Sequence, residues 1–92
     1  MAIEVRIPTL LRPYTGGAKA VDGHGATLAE LIADLDARHP GIGERLLDDR
    51  GLRRFINVYL NDEDVRFLGG VDTAVSDGDS VTILPAVAGG AG

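Results

Sequence analysis

Apolar and polar positions alternate at the start of the chain. Ile3, Val5 and Ile7 are separated by charged residues or proline, and a period of two is typical of a strand with one buried face. A polar, glycine-containing stretch follows at residues 12–17, and residues 18–21 are able to return beside the first strand. The pattern therefore predicts a β-hairpin at the amino end.

The apolar spacing then changes to that of a helix. Thr27 and Glu30 have the spacing of a capping box, in which each end of the motif satisfies a free backbone N–H group. The positions i, i+3, i+4 and i+7 that follow are all apolar, namely Leu28, Leu31, Ile32 and Leu35. Residues 39–41 read His-Pro-Gly, and proline cannot continue a helix. One amphipathic helix of about three turns is predicted, with a short helical turn at residues 42–47.

Three apolar runs in the second half predict strands at residues 55–60, 65–68 and 81–84. Turns are predicted at Asn61-Asp62, Gly69-Gly70 and residues 77–79, and Pro85 marks the end or an edge position of the last strand. The order β-β-α-β-β-β predicts an α+β fold, a ubiquitin-like β-grasp in which a mixed sheet packs on one main helix. We expect the first and last strands to be neighbours. Residues 1–87 form the predicted domain, and residues 88–92 form a flexible, glycine-rich tail.

Length and composition exclude several functions. The chain has 92 residues, enough for one thin core and too few for an enclosed active site with supporting shells. It contains no cysteine, which removes disulfides and a cysteine nucleophile. The net charge of −5 disfavours nucleic acid and favours a partner with a basic face. No apolar run is long enough for a bilayer, so we expect a cytoplasmic protein without a membrane partner.

Metal binding and hydrolysis also lack support. Residues 62–64 are consecutive carboxylates in a predicted turn, where solvation explains them better than ligation of calcium or magnesium. His24 and His39 lack the spacing of a zinc site, and His39 suits the negative end of the helix dipole. Ser76, Ser80, Thr9 and Thr15 lack a nearby histidine base, so a hydrolase has no support. We therefore predict no catalytic residue, no metal and no bound cofactor.

The carboxyl end is the unusual feature. After the last strand, residues 86–92 read AVAGGAG. Glycines lack Cβ atoms, so they can pass a narrow channel and present a carboxylate to another enzyme. A carboxylate is a poor electrophile, and adenylylation with ATP converts it to a mixed anhydride that sulfur can attack. On glycine content alone, a disordered stub or an expression scar explains this end better than a reactive tail does.

Three segments together resemble a known family. Residues 77–90 read DGDSVTILPAVAGG, and this run resembles the carboxyl-terminal segment of the ThiS/MoaD family of sulfur carriers, with its Asp-Gly-Asp turn, alternating strand, proline and terminal glycine pair. Residues 7–13, IPTLLRP, and 58–67, VYLNDEDVRF, resemble the actinobacterial branch of that family that serves cysteine biosynthesis. The resemblance covers essentially the whole chain.

The resemblance implies a carrier on which other enzymes act. A MoeB/MoeZ-type adenylyltransferase-sulfurtransferase would use ATP to adenylylate the terminal glycine and convert it to a thiocarboxylate. A pyridoxal-phosphate cysteine synthase would accept the sulfur, and a zinc metalloprotease would release the product. Sulfur delivery to molybdopterin, thiamine or a sulfur-containing secondary metabolite remains an alternative. A ubiquitin-like modifier without sulfur, or a docking module with an inert tail, is a further one.

The chain departs from the family at its last residues. The family ends at the glycine pair, which corresponds here to Gly89 and Gly90 in the tail Ala88–Gly90, yet Ala91 and Gly92 follow. We expect a protease to remove these two residues and expose the Gly90 carboxylate. Activation of Gly92 itself, or a cloning remnant, is the alternative.

A docking surface is predicted beside the tail. Alternation along residues 55–60 and 81–84 sends Phe55, Tyr59 and Leu84 to the open face of the sheet. With Val87 they would form an apolar patch for a partner. The alternative is a set of scattered surface hydrophobes, which are common on proteins of this size.

Overall fold

The computed structural model describes residues 2–85. The strands are β1 (Ile3–Arg6), β2 (Ala20–Gly23), β3 (Leu47–Asp48), β4 (Gly51–Leu52), β5 (Ile56–Leu60), β6 (Glu63–Asp64) and β7 (Ser80–Pro85). The α-helices are α1 (Leu28–Arg38) and α2 (Ile42–Leu46), and short 3₁₀ helices cover Thr9–Thr15, Val65–Phe67 and Gly70–Asp72. Within this range no helix is long and apolar enough to cross a membrane.

The five-stranded sheet has the order β2-β1-β7-β5-β6. The first and last strands are parallel neighbours, with Val5 opposite Val81, as expected from the sequence. The other pairs, β1–β2, β5–β7 and β5–β6, are antiparallel. The last strand therefore lies in the middle of the sheet, bonded on both sides.

Helix α1 begins and ends as the sequence predicts. The Thr27 side chain accepts a hydrogen bond from the Glu30 N–H group at 3.2 Å, and the Glu30 carboxylate accepts one from the Ala26 N–H group at 3.0 Å. These contacts satisfy donors that a helix start leaves unpaired. The helix ends at Arg38, with His39 as the C-cap. Its four apolar positions are all buried against the sheet.

One core lies between the sheet and the helices. The alternation predicted for the central strands is confirmed, because Val58, Val81 and Ile83 are at most 2% exposed while Leu84 is 44% exposed. The buried hydrophobic residues form a single cluster, made of Ile3, Val5, Ile7, Leu11, Leu28, Leu31, Ile32, Leu35, Ile42, Leu46, Ile56, Val58, Val65, Val75, Val81 and Ile83.

The strand predicted at residues 65–68 is wrong. The pairing segment is β6, two residues long, with Leu60 opposite Glu63. Asn61 and Asp62 both have positive φ, 49° and 75°, which closes a two-residue hairpin and places the partner strand directly after it. The Asp64 carboxylate then accepts a hydrogen bond from the Arg66 N–H group at 2.9 Å and caps a 3₁₀ helix, so the strand stops.

The polar stretch predicted at residues 12–17 is largely helical. A 3₁₀ helix spans Thr9–Thr15, and Leu11 packs into the core from it. The Thr15 hydroxyl contacts the carbonyl oxygens of Arg12 and Ala18, at 3.1 and 3.0 Å, and holds the following turn. The second strand consequently begins at Ala20, two residues later than the predicted start.

Candidate functional site

The carboxyl end of β7 pairs further along β5 than along β1. The ladder with β1 extends to Thr82, opposite Arg6. The ladder with β5 continues to Pro85, which lies opposite Ile56. Pairing with β5 therefore continues three residues beyond the last pair with β1. The predicted docking residue Val87 and the predicted tail, residues 88–92, lie outside the described residues.

The start of β7 is held by the Asp-Gly-Asp turn. Gly78 has φ 91°, a conformation that favours glycine. The Asp79 carboxylate accepts hydrogen bonds from the Ser76 N–H group at 2.9 Å and from the Asn61 side-chain amide at 3.1 Å. The Asn61 side-chain oxygen accepts a further bond from the Ser80 N–H group at 2.9 Å. This network joins the β5–β6 turn to the start of the last strand and so sets its register.

The three predicted docking residues within the described range occupy two places. Tyr59 is half-buried and lies opposite Thr82, which makes it a diagonal neighbour of Leu84 on the open face. Phe55 precedes β5 and is 56% exposed. Phe55 and Leu84 line two different grooves.

The first groove, called here the arginine groove, has a volume of about 520 Å³. Its apolar wall comes from the 3₁₀ helix Thr9–Thr15 and the start of β5, and its rim is charged. It is lined by Leu10, Leu11, Tyr14, Arg45, Asp48, Arg53, Arg54, Phe55 and Ile56.

The second groove, called here the sheet groove, lies over β1 and β7 and has a volume of about 460 Å³. It is lined by Glu4, Arg6, Ile7, Pro8, Arg12, Lys19, Ala20, Thr82, Ile83 and Leu84. Residues of the 3₁₀ helix Thr9–Thr15 contribute to both grooves. Because β1 and β7 are parallel and β5 is antiparallel to them, this helix, the start of β5 and the end of β7 share one end of the sheet.

Arg66 contacts the start of β5, a role that the sequence does not predict. Its guanidinium donates hydrogen bonds to the Asn57 side-chain oxygen at 2.5 Å and to the backbone carbonyl oxygens of Ile56 at 2.5 Å and Arg53 at 3.2 Å. These contacts fix the segment that carries Phe55. In the sequence Arg66 is one arginine in an expected strand, and no local pattern indicates contacts with residues nine to thirteen positions away.

The titratable residues that could suggest a metal do not gather into a site. Within residues 2–85 no group of three or more histidine, aspartate or glutamate side chains is placed to hold an ion. Asp62 lies in the turn and is exposed, and Asp64 caps a 3₁₀ helix instead. His39 lies at the carboxyl end of α1, where a cation would suit the helix dipole.

Comparison with protein families and curated proteins gives a consistent result. The ThiS family model matches residues 5–90. The chain is 60% identical to the sulfur carrier protein CysO of Mycobacterium tuberculosis over 93 aligned residues, covering 98% of this chain and all of that protein. It is 38% identical to small archaeal modifier protein 3 of Haloferax volcanii over 65 residues, 71% of each chain.

Solved structures agree in fold. The crystal structure of the BexX/CysO complex of Amycolatopsis orientalis contains a chain that matches with a TM-score of 0.91 and 59% identity, over 96% of this chain and 99% of that one. The CysO crystal structure from Mycobacterium tuberculosis matches with a TM-score of 0.88 and 59% identity, over 92% and 99% of the two chains. The expected ubiquitin-like β-grasp fold is confirmed.

Proposed function

We propose that the carboxyl-terminal glycine of this chain, which belongs to the ThiS family, carries sulfur as a thiocarboxylate. The proposed destination of the sulfur is cysteine biosynthesis. Members of the family are small sulfur carriers, and the chain is a protein on which partner enzymes act rather than an enzyme. The observation that carries the proposal is the 60% identity to CysO over nearly the whole chain.

Gly90 is the proposed site of activation. The family match ends at residue 90, the second glycine of the pair, and leaves Ala91 and Gly92 beyond it. Removal of these two residues by a protease would expose the Gly90 carboxylate. If no removal takes place, Gly92 offers an equally unhindered carboxylate.

The chemistry requires only a free carboxylate from this chain. A carboxylate oxygen attacks the α-phosphate of ATP, which releases pyrophosphate and leaves an acyl adenylate. Sulfide then attacks the acyl carbon and expels AMP, so that one sulfur replaces one oxygen. In the cysteine branch, the sulfur adds to an aminoacrylate on the acceptor enzyme. An S-to-N acyl shift then leaves cysteine joined to the carrier by an amide bond.

The proposed partners follow the same sequence of steps. A MoeB/MoeZ-type adenylyltransferase-sulfurtransferase uses ATP to load the tail, a pyridoxal-phosphate cysteine synthase accepts the sulfur, and a zinc metalloprotease trims the tail or releases cysteine. We expect these steps to take place in the cytoplasm. Support comes from the identity to CysO and from the crystal structure in which a similar CysO is bound to BexX.

Partner docking is proposed for Phe55, Tyr59, Leu84 and Val87. The exposure of Phe55 and Leu84 near the end of β7 supports this role. Phe55→Ala and Leu84→Ala should weaken binding to the adenylyltransferase, while Leu68→Ala, which alters an exposed leucine outside both grooves, serves as the control. An affinity that none of the three substitutions changes would remove Phe55 and Leu84 from the interface.

The decisive experiment is an intact mass measurement of the chain recovered from its host. The chain is then incubated with ATP, the adenylyltransferase and sulfide, and weighed again. Loss of Ala91 and Gly92 followed by exchange of one oxygen for one sulfur is the expected result. A chain supplied already truncated at Gly90 that never gains sulfur would refute the carrier proposal.

Protein modification is a second candidate. The 38% identity to small archaeal modifier protein 3 supports it. A modifier would form an isopeptide bond between its terminal glycine and a lysine of another protein. Peptide mass spectrometry of host proteins would reveal the branched lysine, whereas a pure carrier leaves none.

A further inference from the structure

The two grooves concentrate the positive charge of an acidic protein. Of the nine lysine and arginine residues, six line one groove or the other: Arg6, Arg12, Lys19, Arg45, Arg53 and Arg54. Only Glu4 and Asp48 oppose them there. The grooves together therefore carry a formal charge of +4, and the remainder of the chain carries −9, within the total of −5.

The net charge is thus a poor guide to the partner that meets this end of the molecule. From the sequence alone, acidity favours a partner with a basic face. At contact distance the local groups decide, because the Debye length is about 8 Å at physiological ionic strength. The end of the sheet at which β7 ends presents cations.

The arginine groove contains three arginines, two of which are held by contacts within the described residues. Arg45 donates to the Tyr14 hydroxyl at 2.6 Å and lies 5.7 Å from the centre of its ring. Arg53 donates to the Glu44 carbonyl oxygen at 2.6 Å. Among the described residues, the Arg54 guanidinium makes neither a hydrogen bond nor an ion pair. Five N–H donors on a planar guanidinium suit carboxylates in particular.

The same groove also has apolar surface that no other part of the described chain covers. Leu10 is 66% exposed and Phe55 is 56% exposed, while Leu11 and Ile56 form the buried floor. An opening of about 520 Å³ has room for one or two side chains of another protein. Arginine and aromatic side chains around an apolar centre are typical of protein interfaces.

We infer that the adenylyltransferase docks on this end through an acidic surface, with an apolar side chain in the arginine groove and carboxylates facing its arginines. The inference rests on the proposed function and adds the chemistry of the partner surface. The segment of the partner that enters the groove is therefore expected to carry one apolar side chain, the anchor, flanked by aspartate or glutamate. This anchor would lie at the end of the sheet where β7 ends, because Ile56 of the groove lies opposite Pro85.

The test compares matched variants in two separate assays with the host adenylyltransferase. Calorimetric titration gives Kd, and ATP-dependent pyrophosphate release reports activation of the tail. Arg54→Ala is paired with Arg38→Ala, which removes the same charge from α1, outside both grooves. Leu10→Ser is paired with Phe67→Ser, because Phe67 is 85% exposed and lies outside both grooves.

Arg54→Ala should raise Kd about threefold at low salt, because an exposed charge pair contributes little individually. This ratio should shrink in 0.5 M NaCl, where the Debye length falls below about 5 Å. Leu10→Ser should raise Kd about tenfold, because the apolar side chain of the partner loses the apolar wall that it packs against. Arg38→Ala and Phe67→Ser should leave Kd within about twofold of the wild type.

If Arg54→Ala and Arg38→Ala raise Kd equally, only the net charge of the chain matters for binding, and the inference is overturned. Absence of binding by the wild type would also overturn it. A concentration-dependent dimer that Leu10→Ser abolishes would assign the groove to a second copy and also overturn it. If pyrophosphate is released and the groove variants bind with the Kd of the wild type, the docking surface alone is refuted. The expected Kd pattern without pyrophosphate release refutes the proposed function alone.

Discussion

Asn61 provides the sharpest test of how the last strand is anchored. Its side chain makes two hydrogen bonds, to the Asp79 carboxylate at 3.1 Å and from the Ser80 N–H group at 2.9 Å. Its backbone has φ 49°, in the left-handed region that asparagine and glycine tolerate better than alanine. Two substitutions therefore separate the contributions, because Asn61→Gly removes only the side-chain bonds and Asn61→Ala also strains the backbone.

The expected free energies follow from these contacts. Both hydrogen bonds are exposed, so together they contribute about 1–2 kcal/mol, at the lower end of net values for protein hydrogen bonds. Holding alanine in the left-handed region costs about 1–2 kcal/mol more. Asn61→Gly should lower the free energy of unfolding by about 1–2 kcal/mol and Asn61→Ala by about 2–4 kcal/mol. At about 4–8 °C per kcal/mol, Asn61→Ala should lower the Tm by at least about 8 °C.

Urea and thermal unfolding followed by far-ultraviolet circular dichroism would measure both changes. Asp62→Gly is the matched control, because Asp62 has φ 75° in the same turn and its side chain makes no hydrogen bond among the described residues. This control should stay within about 0.5 kcal/mol of the wild type. If Asn61→Gly and Asp62→Gly unfold alike, the side-chain network does not stabilise the fold. If Asn61→Ala matches Asn61→Gly, the reasoning from backbone strain fails.

Three further predictions concern the core, the start of β5 and the approach to α1. Leu31→Ala should lower the free energy of unfolding by about 2–5 kcal/mol in urea, since Leu31 is fully buried, and a loss below about 1 kcal/mol would contradict the packing. Arg66→Ala should cost about 1–2 kcal/mol through the bonds to Asn57 and Ile56, whereas Arg50→Ala should be nearly neutral in the same assay. Gly25→Ala should lower the Tm by more than about 8 °C, because a Cβ there would lie 2.6 Å from the Leu31 backbone nitrogen, and an unchanged Tm would show that α1 shifts freely.

Local patterns in the sequence determined the main elements. The capping box at Thr27 and the spacing of Leu28, Leu31, Ile32 and Leu35 predicted the position and buried face of α1 because a helix start and its apolar stripe depend on residues only a few positions apart. Alternation did the same for the inward and outward faces of the central strands. The resemblance to the family rested on the whole run from the Asp-Gly-Asp turn to the glycine pair, and the comparisons confirmed it.

Contacts between distant residues decided the rest. The expected strand at residues 65–68 became a 3₁₀ helix because the turn at Asn61 fixes where pairing begins and the Asp64 carboxylate ends it. The Asn61–Asp79 bond spans 18 positions, and Arg66 reaches back to Arg53. The cations of the two grooves come from residues 6 to 54. They lie at one end of the sheet because parallel pairing of β1 and β7, with β5 antiparallel, brings the end of β1 and the start of β5 to the same side. Hydrophobic periodicity reports which face of an element is buried, but the pairing of strands decides which exposed side chains share a surface.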